Sequence, residues 1–212
     1  MTRHLLIPAQ GLTRAKSRLS PMLPETGRAG LAEALLRDTL AAVPAGLFDS
    51  VSVVTGAADT ARIARAMGAK VIADVGDGLN AALEAARRKL RRQGAKVVTV
   101  LHGDLPALTP ADVIALAADT PIIAPAHDGT GTNALCLGAG LPLPYRFGPD
   151  SRARHHAAAA ELGIALTELH RPGLAQDLDL PQDVARVLSL APDGATARAL
   201  RRYLPTLERE TP

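Results

Sequence analysis

Two patterns of hydrophobic and polar positions alternate along nearly the whole chain. Short runs rich in Val, Ile and Leu are typical of buried strands, and longer runs rich in Ala and Leu are typical of helices. The pattern predicts strands over residues 4–9, 50–55, 70–73, 96–101, 121–125, 133–137 and 164–169. It predicts helices over residues 28–43, 57–67, 77–93, 110–118, 151–162, 181–190 and 195–204. Strands that alternate with helices predict an α/β fold with a mostly parallel sheet and right-handed crossovers.

The length of 212 residues favours one domain, which we place at residues 1–190, with a C-terminal extension over 191–212 that carries a short helix. Aromatic residues make up 2% of the chain, which argues against base-stacking platforms for nucleic acids. The single cysteine excludes a disulfide scaffold and fits a cytoplasmic protein. The apolar runs are too short to span a bilayer. From base rates alone we expect a homodimer.

The formal net charge is +3, and no long basic tract marks a nucleic-acid tail. Small anionic molecules are therefore the expected partners. The densest basic run, over residues 87–92, lies late in a predicted helix, and we interpret it as a solvated helix face.

Ligands of such folds bind at the carboxyl ends of the strands. The loop after the first strand carries Arg14, Lys16 and Arg18, and Lys16 and Arg18 could share one side of an extended loop. Such cations suit a polyphosphate, although a solvated basic loop is an equal alternative. The loop matches neither the Walker phosphate-binding motif nor the dinucleotide fingerprint.

Carboxylates follow two other predicted elements. Asp104 comes after the strand at 96–101, where it could hold Mg²⁺ against substrate phosphates, or could form a turn or a helix cap. Asp177 and Asp179 alternate, so an extended chain would turn them the same way, and either could supply a second metal ligand. The alternative for Asp179 is a cap on a helix that begins at Pro181.

Three further segments have the composition of anion-binding loops. Thr132 lies in a stretch rich in Gly and Thr between two predicted strands, which a plain hairpin turn would also explain. Gly148 and Ser151 lie at the expected start of a helix, where free N–H groups attract anions, and Ser151 could also be the N-cap. Asn80, at a loop-to-helix junction, could bind a base or ribose.

Taken in order, these segments resemble the 2-phospho-lactate guanylyltransferase family (CofC-like), within the MobA-like nucleotidyltransferases. The matching stretches are Ile7-Pro8, Ala15-Lys16-Ser17-Arg18-Leu19-Ser20, Gly78-Leu79-Asn80, Gly103-Asp104-Leu105-Pro106, Gly131-Thr132-Asn133-Ala134-Leu135, Phe147-Gly148-x-x-Ser151-x-x-x-His155 and Asp177-Leu178-Asp179-x-Pro181-x-Asp183. The resemblance implies a Rossmann-like sheet of the glycosyltransferase-A type. It departs from the family at Gln10, where a Lys is frequent, and at Leu180, where a Thr is usual.

The resemblance also implies a reaction. A small phosphorylated three-carbon acid (2-phospho-L-lactate, phosphoenolpyruvate or 3-phosphoglycerate) would attack the α-phosphorus of GTP and release pyrophosphate, as a step towards coenzyme F-420.

The resemblance assigns the site residues by role. Arg14, Lys16, Arg18 and Asn80 would bind GTP; Asp104, with Asp177 or Asp179, would bind Mg²⁺; Thr132, Gly148 and Ser151 would bind the acceptor; and Lys16, Arg18 and Asp104 would be catalytic. The alternatives are a nucleotidyltransferase for another acceptor, such as a molybdopterin or a sugar phosphate, and a non-catalytic nucleotide-binding module.

Overall fold

A computed structural model describes residues 1–74 and 76–204. Its seven strands form one sheet in the order β3-β2-β1-β4-β6-β5-β7. The strands are β1 (Arg3–Pro8), β2 (Ser50–Thr55), β3 (Lys70–Ala73), β4 (Val97–Leu101), β5 (Ile122–Pro125), β6 (Thr132–Gly138) and β7 (Thr167–Glu168). Only β6 runs antiparallel to its neighbours within this sheet, so the predicted mostly parallel α/β fold is confirmed.

Eight α-helices accompany these strands in the described part of the chain. They are α1 (Glu25–Ala41), α2 (Ala58–Ala66), α3 (Leu79–Arg92), α4 (Pro110–Leu116), α5 (Ser151–Glu161), α6 (Pro172–Ala175), α7 (Asp183–Leu190) and α8 (Ala195–Tyr203). Two short 3-10 turns, Leu12–Arg14 and Ser17–Leu19, lie between β1 and α1.

The central strands of the sheet are buried on both faces. In β1, Leu5 and Ile7 pack into one core with α1, α2 and α4, whereas Leu6 points into a second core with α3 and α5. All three side chains are inaccessible to solvent. Burial on both faces explains the continuous apolar runs of β1 and β4, because strands covered by helices on both sides do not alternate with polar residues.

A third core attaches the C-terminal helix to the domain. Leu31 and Leu35 of α1 pack with Val187 of α7 and Leu200 of α8. The carboxylate of Asp38 accepts hydrogen bonds from the first N–H groups of α8. The predicted helix in the 191–212 segment is thus present at 195–203 and packs on α1, while residues 205–212 lie outside the described residues.

Three local predictions are wrong, each for an identifiable reason. Helix α7 begins at Asp183, two residues after Pro181, because Pro181 and Gln182 stay in the preceding turn. The last predicted strand shrinks from 164–169 to Thr167–Glu168, since it lies at the sheet edge and pairs only with β5. The basic run over 87–92 is a solvated helix face at its other basic residues, but Arg87 is buried: it donates to the Leu143 carbonyl and pairs with Glu84.

Candidate active site

The candidate site lies where the carboxyl ends of β1 and β4 meet the start of β6. Strands β1 and β4 are parallel neighbours, so the loops that follow them begin at the same edge of the sheet. The antiparallel strand β6 also begins there. The His102 N–H donates to the Asn133 carbonyl at 2.9 Å. Gly103 lies so close to β1 that a Cβ would come within 3.1 Å of the Ile7 side chain. The loop that carries Asp104 is therefore held tightly against β1.

Lys16 is the centre of the site. Its Nζ lies 2.7 Å from Asp104 Oδ2 and 2.7 Å from Asp179 Oδ1, so one ammonium joins the loops after β1 and α6 to the loop after β4. Only 8% of its side chain is exposed. Burial opposes the charged form, but the two carboxylates outweigh it and raise the pKa of Lys16 above its ordinary value. Lys16 is therefore a charged group that the protein itself neutralises.

The expectation that Lys16 and Arg18 share one side of an extended loop is wrong. Lys16 adopts a left-handed conformation (φ 55°, ψ 37°) and the 3-10 turn at Ser17–Leu19 follows, so the strand-like alternation is broken. Arg18 is 70% exposed, with Nη1 3.8 Å from Asp179 Oδ2. Lys16 is thus buried and Arg18 exposed, although both lie near Asp179.

A polar cavity of about 160 Å³ opens beside this pair. It is lined by Gln10, Arg14, Lys16, Ser17, Arg18 and Asp179. The three cations that the sequence singled out therefore border one common space. Their charge and forked donors suit an anion with several phosphate oxygens.

Asp104 carries an oxygen that the protein leaves without a partner. Its Oδ2 accepts from Lys16, whereas its buried Oδ1 has no hydrogen-bond partner in the described part of the chain. Burial alone would raise its pKa, but the Lys16 ammonium outweighs burial and holds the pKa of Asp104 below its ordinary value. An ionised carboxylate with a free buried oxygen fits a hard cation such as Mg²⁺.

Asp177 and Asp179 leave the chain in the same region but have different partners. Asp179 pairs with Lys16, and Asp177 lies 3.3 Å from His127 Nδ1. Burial, followed by the charges of Asp104 and Asp179, raises the pKa of Asp177. Within residues 1–74 and 76–204, no cluster of three or more Asp, Glu, His or Cys side chains is arranged as a metal site. Mg²⁺ is commonly coordinated by only one or two protein carboxylates, so Asp104 with one of Asp177 and Asp179 is consistent with its coordination preference.

Asp183 positions the loop that carries Asp177 and Asp179, which we call the acidic loop. Sequence reasoning missed this role. Its Oδ2 accepts from the N–H groups of Asp179, at 2.9 Å, and Leu180, at 2.7 Å. Asp179 therefore does not cap a helix; instead, the first residue of α7 caps the turn that bears Asp179. The signal in the sequence was an acid four residues after Asp179, in the first turn of a helix.

His127 is a second residue that the sequence did not single out. Its two ring nitrogens lie 3.3 Å from Asp177 and 3.6 Å from Asp183. The ring therefore ties the acidic loop to the end of β5. Nothing in the spacing of the sequence pointed to it, because His127 and Asp177 are separated by fifty residues.

The three predicted acceptor residues lie on the other side of β4. Thr132 opens β6 at the base of a hairpin with β5, and Ser151 opens α5; each is only 2% exposed. The N-cap of α5 is Asp150 in a left-handed conformation, so the interpretation of Ser151 as N-cap is wrong. Gly148 has a φ of 120°, which an L side chain rarely adopts.

Asn80 is engaged with the main chain of Phe147. Its Nδ2 donates to the Phe147 carbonyl at 2.9 Å, and its Oδ1 accepts from the Phe147 N–H at 2.8 Å. These bonds fix the loop before Gly148 and leave one amide hydrogen of Asn80. The contact between Asn80 and the nucleotide stays a prediction.

His102, to which the sequence gave no role, lies between the two halves of the site. Its ring packs on Phe147 with centroids 5.1 Å apart. Its Nε2 is buried and has no hydrogen-bond partner among the residues described. The ring thus fills the space between the acid at the end of β4 and the loop that leads to Gly148.

Comparisons with known proteins agree on a family. A family model described as "Guanylyl transferase CofC like" matches residues 3–207, which extends beyond the last matching stretch at Asp183 and includes α8. Phosphoenolpyruvate guanylyltransferase of Rubrobacter xylanophilus is 40% identical over 192 residues, covering 88% of this chain and 94% of that protein. The protein of the same name from Nocardia farcinica is 41% identical over 211 residues, covering 94% and 90%.

Solved structures show the same fold at low sequence identity. A putative nucleotide-diphospho-sugar transferase from Desulfovibrio desulfuricans G20 has a TM-score of 0.78 at 18% identity, with 95% of each chain covered. Glucosyl-3-phosphoglycerate synthase of Mycobacterium tuberculosis has a TM-score of 0.58 at 17% identity, covering 90% of this chain and 79% of that one. The Rossmann-like sheet of the nucleotidyltransferase and glycosyltransferase-A type is therefore confirmed. In the described part of the chain, no helix has the length and apolar character needed to cross a membrane.

Proposed function

Because the chain belongs to the CofC-like guanylyl transferase family, and is thus a guanylyltransferase, we propose that its donor is GTP and that it serves coenzyme F-420 biosynthesis. The acceptor is a phosphoenolpyruvate-like acid, and we assign phosphoenolpyruvate itself ahead of 2-phospho-L-lactate and 3-phosphoglycerate, since the curated relatives carry that name. A cytoplasmic location belongs to the same proposal.

The observation that carries this proposal is the bridge from Lys16 to Asp104 and Asp179. A phosphate-binding cation and two carboxylates, one in the loop after β4 and one in the loop after α6, are the groups that nucleotidyl transfer from a triphosphate needs. A module that only binds nucleotides has no need of the free Asp104 oxygen.

In the proposed reaction, an oxygen of the acceptor's phosphate attacks the α-phosphorus of GTP. The new phosphorus–oxygen bond forms as the bond to the β-phosphate oxygen breaks, and pyrophosphate leaves with the electron pair. The nucleophile is already ionised, so no side chain has to remove a proton. Alignment and neutralisation of charge supply the catalysis.

The residues of this chain divide that work. Arg14, Lys16 and Arg18 bind the triphosphate, and Lys16 and Arg18 stabilise the charge that develops on pyrophosphate. Asp104, with Asp179 or Asp177, would hold Mg²⁺, which when bound supplies neutralisation of the phosphate charges. When Lys16 releases the two carboxylates, its ammonium becomes free for the triphosphate and their oxygens become free for the metal.

Thr132, Gly148 and Ser151 are assigned to the acceptor. The Thr132 and Ser151 hydroxyls and the Gly148 N–H are the donors proposed for it, and the start of α5 adds a favourable dipole for an anion. The free amide hydrogen of Asn80 is assigned to the nucleotide.

A substrate matrix tests the proposed function. Four nucleoside triphosphates are combined with the three phospho-acids, a molybdopterin and a sugar phosphate, and pyrophosphate release is measured with and without Mg²⁺. We expect turnover only with GTP, a three-carbon phospho-acid and the metal together. Turnover with a sugar phosphate or a molybdopterin but with none of the phospho-acids would contradict the proposal. Pyrophosphate release without any acceptor would contradict it as well.

A further inference from the structure

The buried imidazole of His155 contacts all the segments that form the proposed acceptor site. It is inaccessible to solvent and extends from α5, which begins with Ser151. It reaches Thr132 at the start of β6 and the main chain of Arg146 in the loop before Gly148. The Phe147 ring packs against it at an edge, with centroids 5.0 Å apart.

The hydrogen bonds determine which ring nitrogen carries the proton. The Arg146 N–H donates to His155 Nε2 at 2.9 Å, so Nε2 has to be the bare nitrogen. Burial lowers the pKa of His155 to about 4, so the ring is neutral at ordinary pH. A neutral imidazole carries one proton, which therefore resides on Nδ1.

The proton on Nδ1 in turn fixes the Thr132 hydroxyl. Nδ1 lies 3.2 Å from Thr132 Oγ1, and the carbonyl of Ser151 also faces the ring. A protonated Nδ1 can only donate, so the Thr132 hydroxyl, an acceptor of that proton beside the Ser151 carbonyl, cannot direct its own proton at the ring. Among residues 1–74 and 76–204, no protein group accepts the proton of the Thr132 hydroxyl.

We propose that His155 is a positioning residue that orients the Thr132 hydroxyl so that it donates to an oxygen of the acceptor. The inference rests on the proposed function, since it takes Thr132 to lie at the acceptor. It assigns to His155 a role in acceptor affinity that is separate from the binding of GTP.

Two variants of similar size separate this role from simple packing. His155→Asn places an amide N–H near the position of Nδ1 and keeps the donor to Thr132. His155→Gln places an amide oxygen near the position of Nε2 and keeps the acceptor for Arg146, but it loses the donor. If His155 only filled space or held the loop, His155→Gln would be the milder change.

We expect the opposite order. His155→Gln should raise the KM for the phospho-acid roughly tenfold, the order expected when one hydrogen bond to a charged group is lost. His155→Asn should stay within about threefold of wild type, and the KM for GTP should change less than about twofold in both variants. In a Thr132→Val background, the two variants should have the same KM for the acceptor.

Three outcomes would overturn the inference. They are an equal acceptor KM for the two variants beside an intact Thr132, a parallel rise in the KM for GTP, and an acceptor KM that Thr132→Val leaves unchanged. Absence of wild-type turnover with every three-carbon acid would refute the proposed function, and this inference with it. Those three outcomes, by contrast, leave the proposed function standing.

A measurement on the wild-type protein keeps the test independent of variant folding. Nitrogen-15 NMR of the imidazole rings distinguishes the two neutral tautomers. We expect the Nδ1–H form for His155 at neutral pH. The Nε2–H form would overturn the inference even if both variants failed to fold.

Discussion

The two halves of the candidate site hold their polar groups in opposite ways. In the half that we assign to nucleotide and metal, charges neutralise each other: the Lys16 ammonium lies between Asp104 and Asp179 on loops from three elements. In the acceptor half, neutral groups are fixed by buried hydrogen bonds around His155. Under the proposed function, the first half exchanges partners when substrates bind, whereas the second keeps its hydrogen bonds.

This difference fits the ligands that we propose for each half. A buried charge without a partner is costly, so the ammonium and carboxylates that we propose as ligands of a triphosphate and a metal are most stable when they pair with each other before those ligands bind. Hydroxyls and backbone N–H groups tolerate an empty site better, because less free energy is lost when one donor lacks a partner. Substitutions can therefore test each half separately.

The largest expected effect comes from Asp104→Asn. The substitution removes the charge that the metal and Lys16 require, so turnover should fall by about 10³-fold, the order found when a centre of charge stabilisation is lost. The measurement is pyrophosphate release at saturating GTP and acceptor. Asp119→Asn, which breaks an exposed pair with Arg3, is the matched control and should keep full turnover. Full activity of Asp104→Asn would remove Asp104 from the site.

Lys16→Met should change activity and metal affinity in opposite directions. Loss of the triphosphate contact should lower turnover by about 10²-fold. At the same time the carboxylates of Asp104 and Asp179 lose their resident cation, so the free enzyme should bind Mn²⁺ roughly tenfold more tightly. Electron paramagnetic resonance of unbound Mn²⁺ measures that affinity without any turnover. Lys89→Met, at an exposed position of α3, controls for net charge. Weaker Mn²⁺ binding by Lys16→Met would show that the ammonium does not compete for the acids.

Asp183→Ala should reduce activity more moderately, because Asp183 acts through the loop that it holds. Without the carboxylate, the N–H groups of Asp179 and Leu180 lose their acceptor, and the free energy of unfolding should drop by about 1–2 kcal/mol. We expect turnover to fall roughly tenfold as Asp179 loses its fixed place. Urea unfolding and pyrophosphate release measure the two effects.

Asp38→Ala is the matched control for that substitution. The Asp38 carboxylate likewise accepts two backbone N–H bonds, from Ala195 at 2.8 Å and Thr196 at 2.7 Å, but it does so at the start of α8. Its loss should lower stability by a similar amount without a change in turnover. Equal turnover in the two variants would mean that Asp183 contributes stability alone.

The sequence predicted the sheet better than the contacts within the site. Strands β2 and β3 have the predicted bounds because compact apolar runs with Gly and polar residues after them leave little choice of register. The sequence pointed to the charged residues after β1 and β4 because the loops that follow parallel strands lie at the same edge of an α/β sheet. The partners of Lys16 could not be predicted, because a left-handed turn at a non-glycine residue has no signature in the sequence.

His155 and Asp183 show the same limit. Each was part of a recognised motif, but its role depends on the folded backbone: His155 acts on Thr132 and Arg146 from other segments, and Asp183 accepts from the backbone N–H groups of Asp179 and Leu180 in a turn that the pattern did not predict. Patterns of hydrophobic residues report which face of an element is buried. They do not report which buried nitrogen carries a proton or which backbone group a carboxylate caps.

The smallest expected effect on activity comes from Glu168→Gln, which tests whether surface charges contribute to the rigidity of the acceptor half. Glu168 in β7 forms two 2.8 Å bonds with Arg152 of α5 and lies 2.7 Å from His156. The bonds from Arg152, the largest influence, and then those from His156 lower the pKa of Glu168 to about 2. If buried hydrogen bonds alone hold the groups of the acceptor half in place, Glu168→Gln should change the KM for the acceptor less than about threefold.

Stability should nevertheless respond, and with a defined pH dependence. The pKa of Glu168 is lower in the folded protein than its ordinary value of 4.5, so ionised Glu168 stabilises the fold fully above that value and progressively less as pH falls towards 2. At pH 7, Glu168→Gln should lower the free energy of unfolding by about 1 kcal/mol, and its difference from wild type should shrink between pH 5 and pH 2. Glu161→Gln, at the exposed end of α5 and outside every ion pair of the described residues, should show no such trend. A large rise in the acceptor KM of Glu168→Gln would instead mean that both halves of the site depend on charge pairs.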